Sequence, residues 1–159
     1  MRRKANLGRL LYGIGVVFIT VACAAPGTQR IQDRSYTQEA KRGLVQLYWN
    51  CERPAPDLVV VDGYAISPYT GPIQDLKFRL EGVDAKQAPV SQVTGAAKSH
   101  MIALMQPEPF RLELRTQGTE VRFNLAYTYT AKESSGGQTD TGGPIEHNMV
   151  ARNACPDLK

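Results

Sequence analysis

The sequence contains few residues suited to enzyme chemistry. Only two of its 159 residues are histidines, His100 and His147. A catalytic site needs several activated groups that converge, and no Gly-x-Ser-x-Gly motif accompanies either histidine. A serine–histidine–aspartate set would have to combine His147 with the loop at 134–143, and no motif supports it. We therefore expect no catalytic residues and a protein that is not an enzyme.

Metal- and phosphate-binding patterns are missing as well. The aspartates are dispersed and do not follow calcium-loop spacing. The glycine pairs at 136–137 and 142–143 do not join a strand to a helix, as phosphate-binding loops do. His100, Met101 and Met105 are soft ligands of the kind that bind copper(I), but apolar packing is the simpler interpretation. The sequence thus predicts no metal site and no cofactor.

The apolar run at the N-terminus is too short for a transmembrane helix. It extends from Leu10 to Val21, about a dozen residues, whereas a spanning helix needs about 20. A basic stretch without acidic residues precedes it (residues 2–9), and small residues follow. This order is typical of a secretory signal, so we assign residues 1–22 to a signal peptide.

The end of this segment resembles the lipobox of bacterial lipoproteins. Thr20-Val21-Ala22-Cys23 ends in a small residue and a cysteine, although Thr20 replaces the usual large aliphatic residue. The resemblance implies lipidation of Cys23, and two acyl chains anchor a protein stably because each buried CH₂ contributes about 0.8 kcal/mol. The residue after the cysteine is Ala24 and not an aspartate, which would redirect the lipoprotein. By the same resemblance, this implies sorting to the periplasmic side of the outer membrane if the cell is Gram-negative. Ordinary cleavage at Ala22-Cys23-Ala24 and an uncleaved signal anchor are the alternatives.

The excess of positive charge lies in the signal segment. The whole chain has 19 Lys and Arg against 15 Asp and Glu, and without residues 1–22 the counts are 15 and 15. Nucleic-acid binding requires a basic stripe on the folded part, and only Lys41-Arg42 stands out there. We therefore expect no nucleic-acid partner.

The two remaining cysteines form an even pair. Cys51 and Cys155 follow the first and the last predicted strands, and exported proteins usually bond such pairs. We expect a disulfide between them that closes nearly the whole domain. Two buried thiols are the alternative.

Alternating side chains predict an all-β fold. In residues 75–82, for example, Leu76, Phe78 and Leu80 face one way and charged residues face the other. We predict a single antiparallel β-sandwich of about seven strands over residues 43–159, Ig-like in type. Residues 44–50 are interpreted as apolar on both faces. The predicted strands are 44–50, 58–66, 75–82, 88–94, 110–115, 121–130 and 145–153.

Two segments are predicted to lack strands. Residues 23–42 are polar and are interpreted as a lipidated N-terminus followed by a flexible tether. Ser35 and Gln38 have capping-box spacing, which favours one helical turn there. Residues 96–109 contain several apolar residues and two prolines, and they are interpreted as an apolar connection.

The strand pattern resembles FxLYD-type domains, which are small β-sandwich modules of bacterial exported proteins and lipoproteins. The similarity extends over residues 58–130. Phe123-x-Leu125-x-Tyr127 stands in the place of the name-giving motif, without its following aspartate. The resemblance implies fold and compartment and transfers no functional residues. The matching segments are 59–63, 72–78, 109–112 and 123–127.

Aromatic residues are the remaining candidates for a binding surface. Trp49, Tyr64 and Tyr69 are predicted to form an exposed patch, with Tyr69 in a turn over 67–72. We predict a non-catalytic interaction module, anchored in the cell envelope, that binds another envelope protein. An edge strand or this turn would make the contact, for instance by strand addition. The alternative is a carrier for a glycan, a lipid or a metal ion.

Overall fold

The computed structural model describes residues 35–132 and 143–158. These residues form nine strands, and none of them forms a helix able to cross a membrane. The predicted all-β class is confirmed, whereas the signal segment, Cys23 and most of the 134–143 loop lie outside the described residues. The strands are β1 (Gln38–Arg42), β2 (Val45–Ala55), β3 (Leu58–Ile66), β4 (Ile73–Val83), β5 (Pro89–Ala96), β6 (Met101–Ile102), β7 (Glu108–Arg115), β8 (Arg122–Ala131) and β9 (Ile145–Ala151).

The strands form two antiparallel sheets that enclose one core. The first sheet has the order β1-β2-β3-β7, and the second has the order β5-β4-β8-β9, with β6 paired to β4. The predicted sandwich is therefore confirmed. It has nine strands in the described part of the chain instead of about seven, since two short strands were not predicted.

The core consists of every second side chain of the long strands. In β4, Leu76, Phe78 and Leu80 are buried, as the alternation predicted. Phe78 stacks on Phe110 of β7, with ring centroids 4.3 Å apart, so the two sheets interlock through aromatic rings. Each such side chain stabilises the fold by about 1.5–3 kcal/mol when it leaves water.

A disulfide joins the two sheets. Cys51 of β2 is bonded to Cys155, which follows β9, and 104 positions of sequence separate them. Their Cα atoms are 5.6 Å apart. Trp49 Nε1 donates a hydrogen bond to the carbonyl oxygen of Ala154 at 2.8 Å, directly beside the bond. The pairing expected from the sequence is present.

Strand β1 corrects the predicted tether. Residues Gln38–Arg42 lie within 23–42 but pair with β2, from Gln38 opposite Trp49 to Arg42 opposite Val45, and form no helical turn. The sheet therefore begins before residue 43. The strand is polar because it is an edge strand whose outer side chains face solvent, so no apolar alternation marks it.

Strand β2 corrects a second prediction. Residues 44–50 were expected to be apolar on both faces, but only Val45, Leu47 and Trp49 are buried. The intervening side chains, Tyr48 among them, lie on the outer face of the first sheet and are half-buried. One face of this sheet covers the core and the other faces outward, as is common in antiparallel sheets.

The connections gather at two ends of the sandwich. At one end, which we call the base, Thr37 N–H donates to Asn50 Oδ1 at 2.8 Å, and the disulfide lies next to it in β2. At the other, which we call the loop end, Ser67 Oγ donates to the carbonyl oxygen of Leu44 at 2.9 Å, and Ser67 bridges to Leu104. The described chain thus enters at the base, and the 67–72 and 97–107 connections lie opposite.

Candidate functional site

The three aromatics singled out in the sequence do not share a surface. Trp49 is only 2% exposed and belongs to the core. Tyr69 folds back onto the core and its hydroxyl donates to the carbonyl oxygen of Lys132 at 2.9 Å. This corrects the prediction of a joint exposed patch, because Trp49 shares the inward face of β2 with Leu47, while Tyr64 lies on the outer face of the same sheet.

Tyr64 belongs to a row of tyrosines on that outer face. Its ring stacks on Tyr48, which lies opposite it in the β2–β3 register, with centroids 5.0 Å apart. Tyr36 meets Tyr64 edge to face at 5.1 Å, and Lys41 Nζ lies 5.5 Å from the Tyr48 centroid. Burial raises the pKa of Tyr64. The rings pack against one another and so are not available to stack on a ligand. The contact of Tyr36 with Tyr64 also fixes the segment that leads into β1.

Large apolar side chains are exposed at the loop end instead. Met101, Leu104 and Met105 are 55%, 54% and 57% exposed, whereas Ile102, between Met101 and Leu104, belongs to the core and is 4% exposed. We call these three exposed residues the apolar cap. Large apolar side chains exposed within one short connection are candidates for an interaction site, and methionine adapts its shape to different partners.

The backbone under the apolar cap is fixed by hydrogen bonds. Met105 has a φ of 55°, a left-handed conformation that residues with side chains seldom adopt. Its N–H donates to the carbonyl oxygen of Ser67 at 2.8 Å, which ties the 97–107 connection to the 67–72 turn. The cap is therefore presented by an ordered loop.

A buried carboxylate supports the same connection. Glu108, the first residue of β7, is 6% exposed and points inward at the loop end. Its carboxylate accepts hydrogen bonds from Ser99 N–H at 2.7 Å and from Ser99 Oγ at 2.9 Å. Hydrogen bonds to an ionised group are stronger than neutral ones, so this contact holds the start of the connection against the sheet.

The histidines have contacts of other kinds. His100 Nδ1 lies 3.0 Å from Asp75 Oδ1. Across residues 35–132 and 143–158, no three His, Cys, Asp or Glu side chains are grouped to hold a metal ion. The ring of His147 stacks on Tyr129 at 4.9 Å, and the serines and the aspartate once considered with it lie in 133–142, outside the described residues.

No pattern in the sequence predicted that Met101, Leu104 and Met105 would be exposed together. For Met101 and Met105 apolar packing was the simpler interpretation, and residues 96–109 were interpreted as an apolar connection, but both methionines are exposed. A connection has no periodic pattern that distinguishes buried from exposed apolar residues. The sequence therefore could not show that Ile102 is buried and Leu104 is exposed. The two prolines of that segment were the available signal, since they favour a surface loop.

Comparisons with known proteins add little to this picture. No protein-family model matches this chain, and no curated protein sequence matches it. The resemblance to FxLYD-type domains therefore stands only at the level of a β-sandwich.

Some solved structures are similar in outline. The GAE domain of yeast GGA1 has a TM-score of 0.45 at 8% identity. The match covers 71% of this chain and 94% of the GGA1 chain. The GAE domain of GGA2p from Saccharomyces cerevisiae has a TM-score of 0.44 at 11% identity, covering 76% and 97%. A beta-glucuronidase of glycoside hydrolase family 2 has a TM-score of 0.36 at 12% identity, covering 65% of this chain and 11% of its own. At these TM-scores we transfer no function.

Proposed function

We propose that this chain is a non-catalytic protein-interaction module of the cell envelope, anchored to a membrane by a lipid on Cys23. The observation that supports it most is the separation of the two ends of the domain. The described chain enters at the base, on the side from which Cys23 would be tethered. The apolar cap lies at the opposite end, where a membrane-bound domain would present it to another protein.

The apolar cap has the chemistry of an interface centre. The buried core of a protein interface is depleted in charge and enriched in methionine and aromatic residues. Met101, Leu104 and Met105 carry no charge, and the polar His100, which lies 3.0 Å from Asp75, directly precedes Met101. Burying a large apolar side chain contributes about 1.5–3 kcal/mol, so three such residues supply a useful share of a binding energy.

Site-specific photo-crosslinking in intact cells tests the contact. A crosslinker at Leu104 should give one specific adduct with an envelope protein, and Met101→Ser with Met105→Ser should abolish it. Val121 is the matched control, because it is 63% exposed and lies at the base, just before β8. Equal adducts at both positions, or none at Leu104 when known envelope complexes are captured, would contradict the proposal.

Intact-mass analysis of protein from the membrane fraction tests the anchor. We expect a diacylglycerol and an amide-linked chain on Cys23, and Cys23→Ser should release the protein from the membrane. Thr20→Leu restores the usual lipobox residue and should keep the lipid, which controls for damage to export. If the serine variant stayed in the membrane fraction with the same added mass, lipidation of Cys23 would be wrong.

A further inference from the structure

The sandwich has a cleft along one side. β1 and β9 are the edges of the two sheets there, and within the described residues β1 pairs only with β2 and β9 only with β8. The cleft between them has a volume of about 740 Å³ and reaches in as far as Trp49 and Tyr127. This site is distinct from the apolar cap, which lies at the loop end.

The opposite side of the sandwich is closed. Its edges are β5 and β7, and the side chain of Leu112 in β7 packs against the backbone of Gly95 in β5. Leu112 Cδ2 of β7 lies 2.7 Å from the position that a Cβ on Gly95 of β5 would occupy. Only the β1–β9 side therefore offers room between two strand edges in the part of the chain that the structure describes.

The edges of the cleft present peptide groups. In an antiparallel pair, every second residue turns its N–H and C=O away from the partner strand. β1 has five residues and β9 has seven, which makes them about 17 and 23 Å long at about 3.3 Å per residue. An edge of this length pairs readily with an extended segment of another chain.

The charged residues that line the cleft, Glu39 among them, carry a net positive charge. Arg42 of β1 and Arg152, which follows β9, both line it. Among the described residues neither forms an ion pair, while Lys41 is neutralised by Glu39 at 2.8 Å. An occupant with carboxylates would thus complement these two guanidinium groups.

We propose that this cleft binds an extended acidic segment of a partner protein, which adds as a strand along β1 and places carboxylates against Arg42 and Arg152. The peptide groups of β1 supply the pairing, and the two arginines select the charge. The inference does not depend on the apolar cap or on the lipid anchor.

Peptide binding to the purified full chain tests this inference. The probe is a fluorescent ten-residue peptide that alternates glutamate with threonine, and the same peptide with glutamine for glutamate is its control. We expect the acidic peptide to bind, and Arg42→Gln with Arg152→Gln to weaken binding about tenfold. Arg111→Gln, on the outer face of the first sheet, should leave binding unchanged.

Two further measurements separate strand addition from simple charge attraction. The amides of 38–42 should exchange more slowly with the acidic peptide bound, and N-methylation of alternate peptide residues should abolish binding at unchanged charge. Met101→Ser with Met105→Ser should have no effect on peptide binding. The result at the cleft is therefore independent of whether the apolar cap binds a partner.

Three outcomes would overturn the proposal. If the glutamine peptide binds as tightly as the acidic peptide, the two arginines do not select the charge of the ligand. Protection that falls outside β1 and β9 would place the peptide elsewhere. A chain that dimerises without peptide, and that protects the same amides, would assign the cleft to a second copy.

Discussion

At the scale of single residues, two core tyrosines connect the sheets through their hydroxyl groups. Tyr127 Oη donates to the carbonyl oxygen of Arg42 at 3.2 Å, and Tyr129 Oη accepts from the N–H of Leu44 at 2.9 Å. Both bonds reach from β8 to the turn that joins β1 and β2. Gly43 makes this turn possible, because its φ is +69° and a Cβ there would lie 2.5 Å from Tyr129 Oη.

The ionisation of Tyr127 predicts a loss of stability at alkaline pH. Burial raises its pKa from 10.0 to about 12, with Tyr129 adding to the shift and Arg42 opposing it. The folded state therefore favours the neutral hydroxyl, and this contribution is complete below about pH 10 and disappears as the pH rises towards 12. We expect the free energy of unfolding to decrease through this window, and Tyr127→Phe to reduce that decrease.

Urea denaturation across the window, with absorbance titration of tyrosinate, measures this effect. Tyr127→Phe should remove the step of highest pH from the absorbance curve. Tyr48→Phe removes a hydroxyl from the outer face and serves as the control. A high-pH step that persists in the Tyr127 variant would show that another tyrosine is responsible.

At the scale of elements, the start of β7 holds the connection that carries the apolar cap. Glu108→Ala leaves Ser99 N–H without its acceptor, and a lost hydrogen bond to a buried charged group costs about 1.5–3 kcal/mol. We expect a decrease of this size in the free energy of unfolding, together with faster amide exchange over residues 99–105. Chemical denaturation and hydrogen-exchange mass spectrometry measure the two effects.

Glu113→Ala is the matched control in the same strand. Glu113 lies on the outer face and pairs with Arg111 at 2.9 Å, with both side chains more than half exposed. Exposed ion pairs contribute at most about 1 kcal/mol. Equal losses for the two variants would mean that Glu108 does not support the connection.

Alternation in the sequence located the strands that face the core. Leu76, Phe78 and Leu80 in β4 are buried as predicted, because a buried face imposes a period of two. β1 carried no such signal, because an edge strand such as Gln38–Arg42 is held by backbone pairing and does not require alternating apolar side chains. β6 has two residues, too few for any period to show.

The candidate site was much harder to predict than the strands. Trp49 and Tyr64 looked like one aromatic set, yet the alternation of Val45, Leu47 and Trp49 already indicated an inward-facing tryptophan. The cleft could not be foreseen, because it depends on which edges of the two sheets lie side by side. Strand order of this kind is set by long-range pairing and leaves no local pattern.

At the scale of the whole molecule, the disulfide is the main restraint on the unfolded chain. A cross-link that closes a loop of about 100 residues stabilises by up to about 4.7 kcal/mol in the chain-entropy model, and often by less. We expect Cys51→Ala with Cys155→Ala to lower the free energy of unfolding by about 2–4 kcal/mol. Urea denaturation with and without reductant measures it.

The reductant supplies the control for this prediction. It should destabilise the natural protein by a similar amount and leave the double alanine variant unchanged. A natural protein that denatures at the same urea concentration in both conditions would show that the bond does not limit its unfolding.

The position of this bond also sets how the molecule carries mechanical load. Tension between the two ends of the chain would strip β1 and then the first part of β2, but the disulfide at Cys51 passes the force directly to Cys155, which follows β9. Only residues 35–51 of the described chain can be drawn out, a length of about 60 Å at about 3.5 Å per residue. The chain between the two cysteines is shielded from the load by a covalent link.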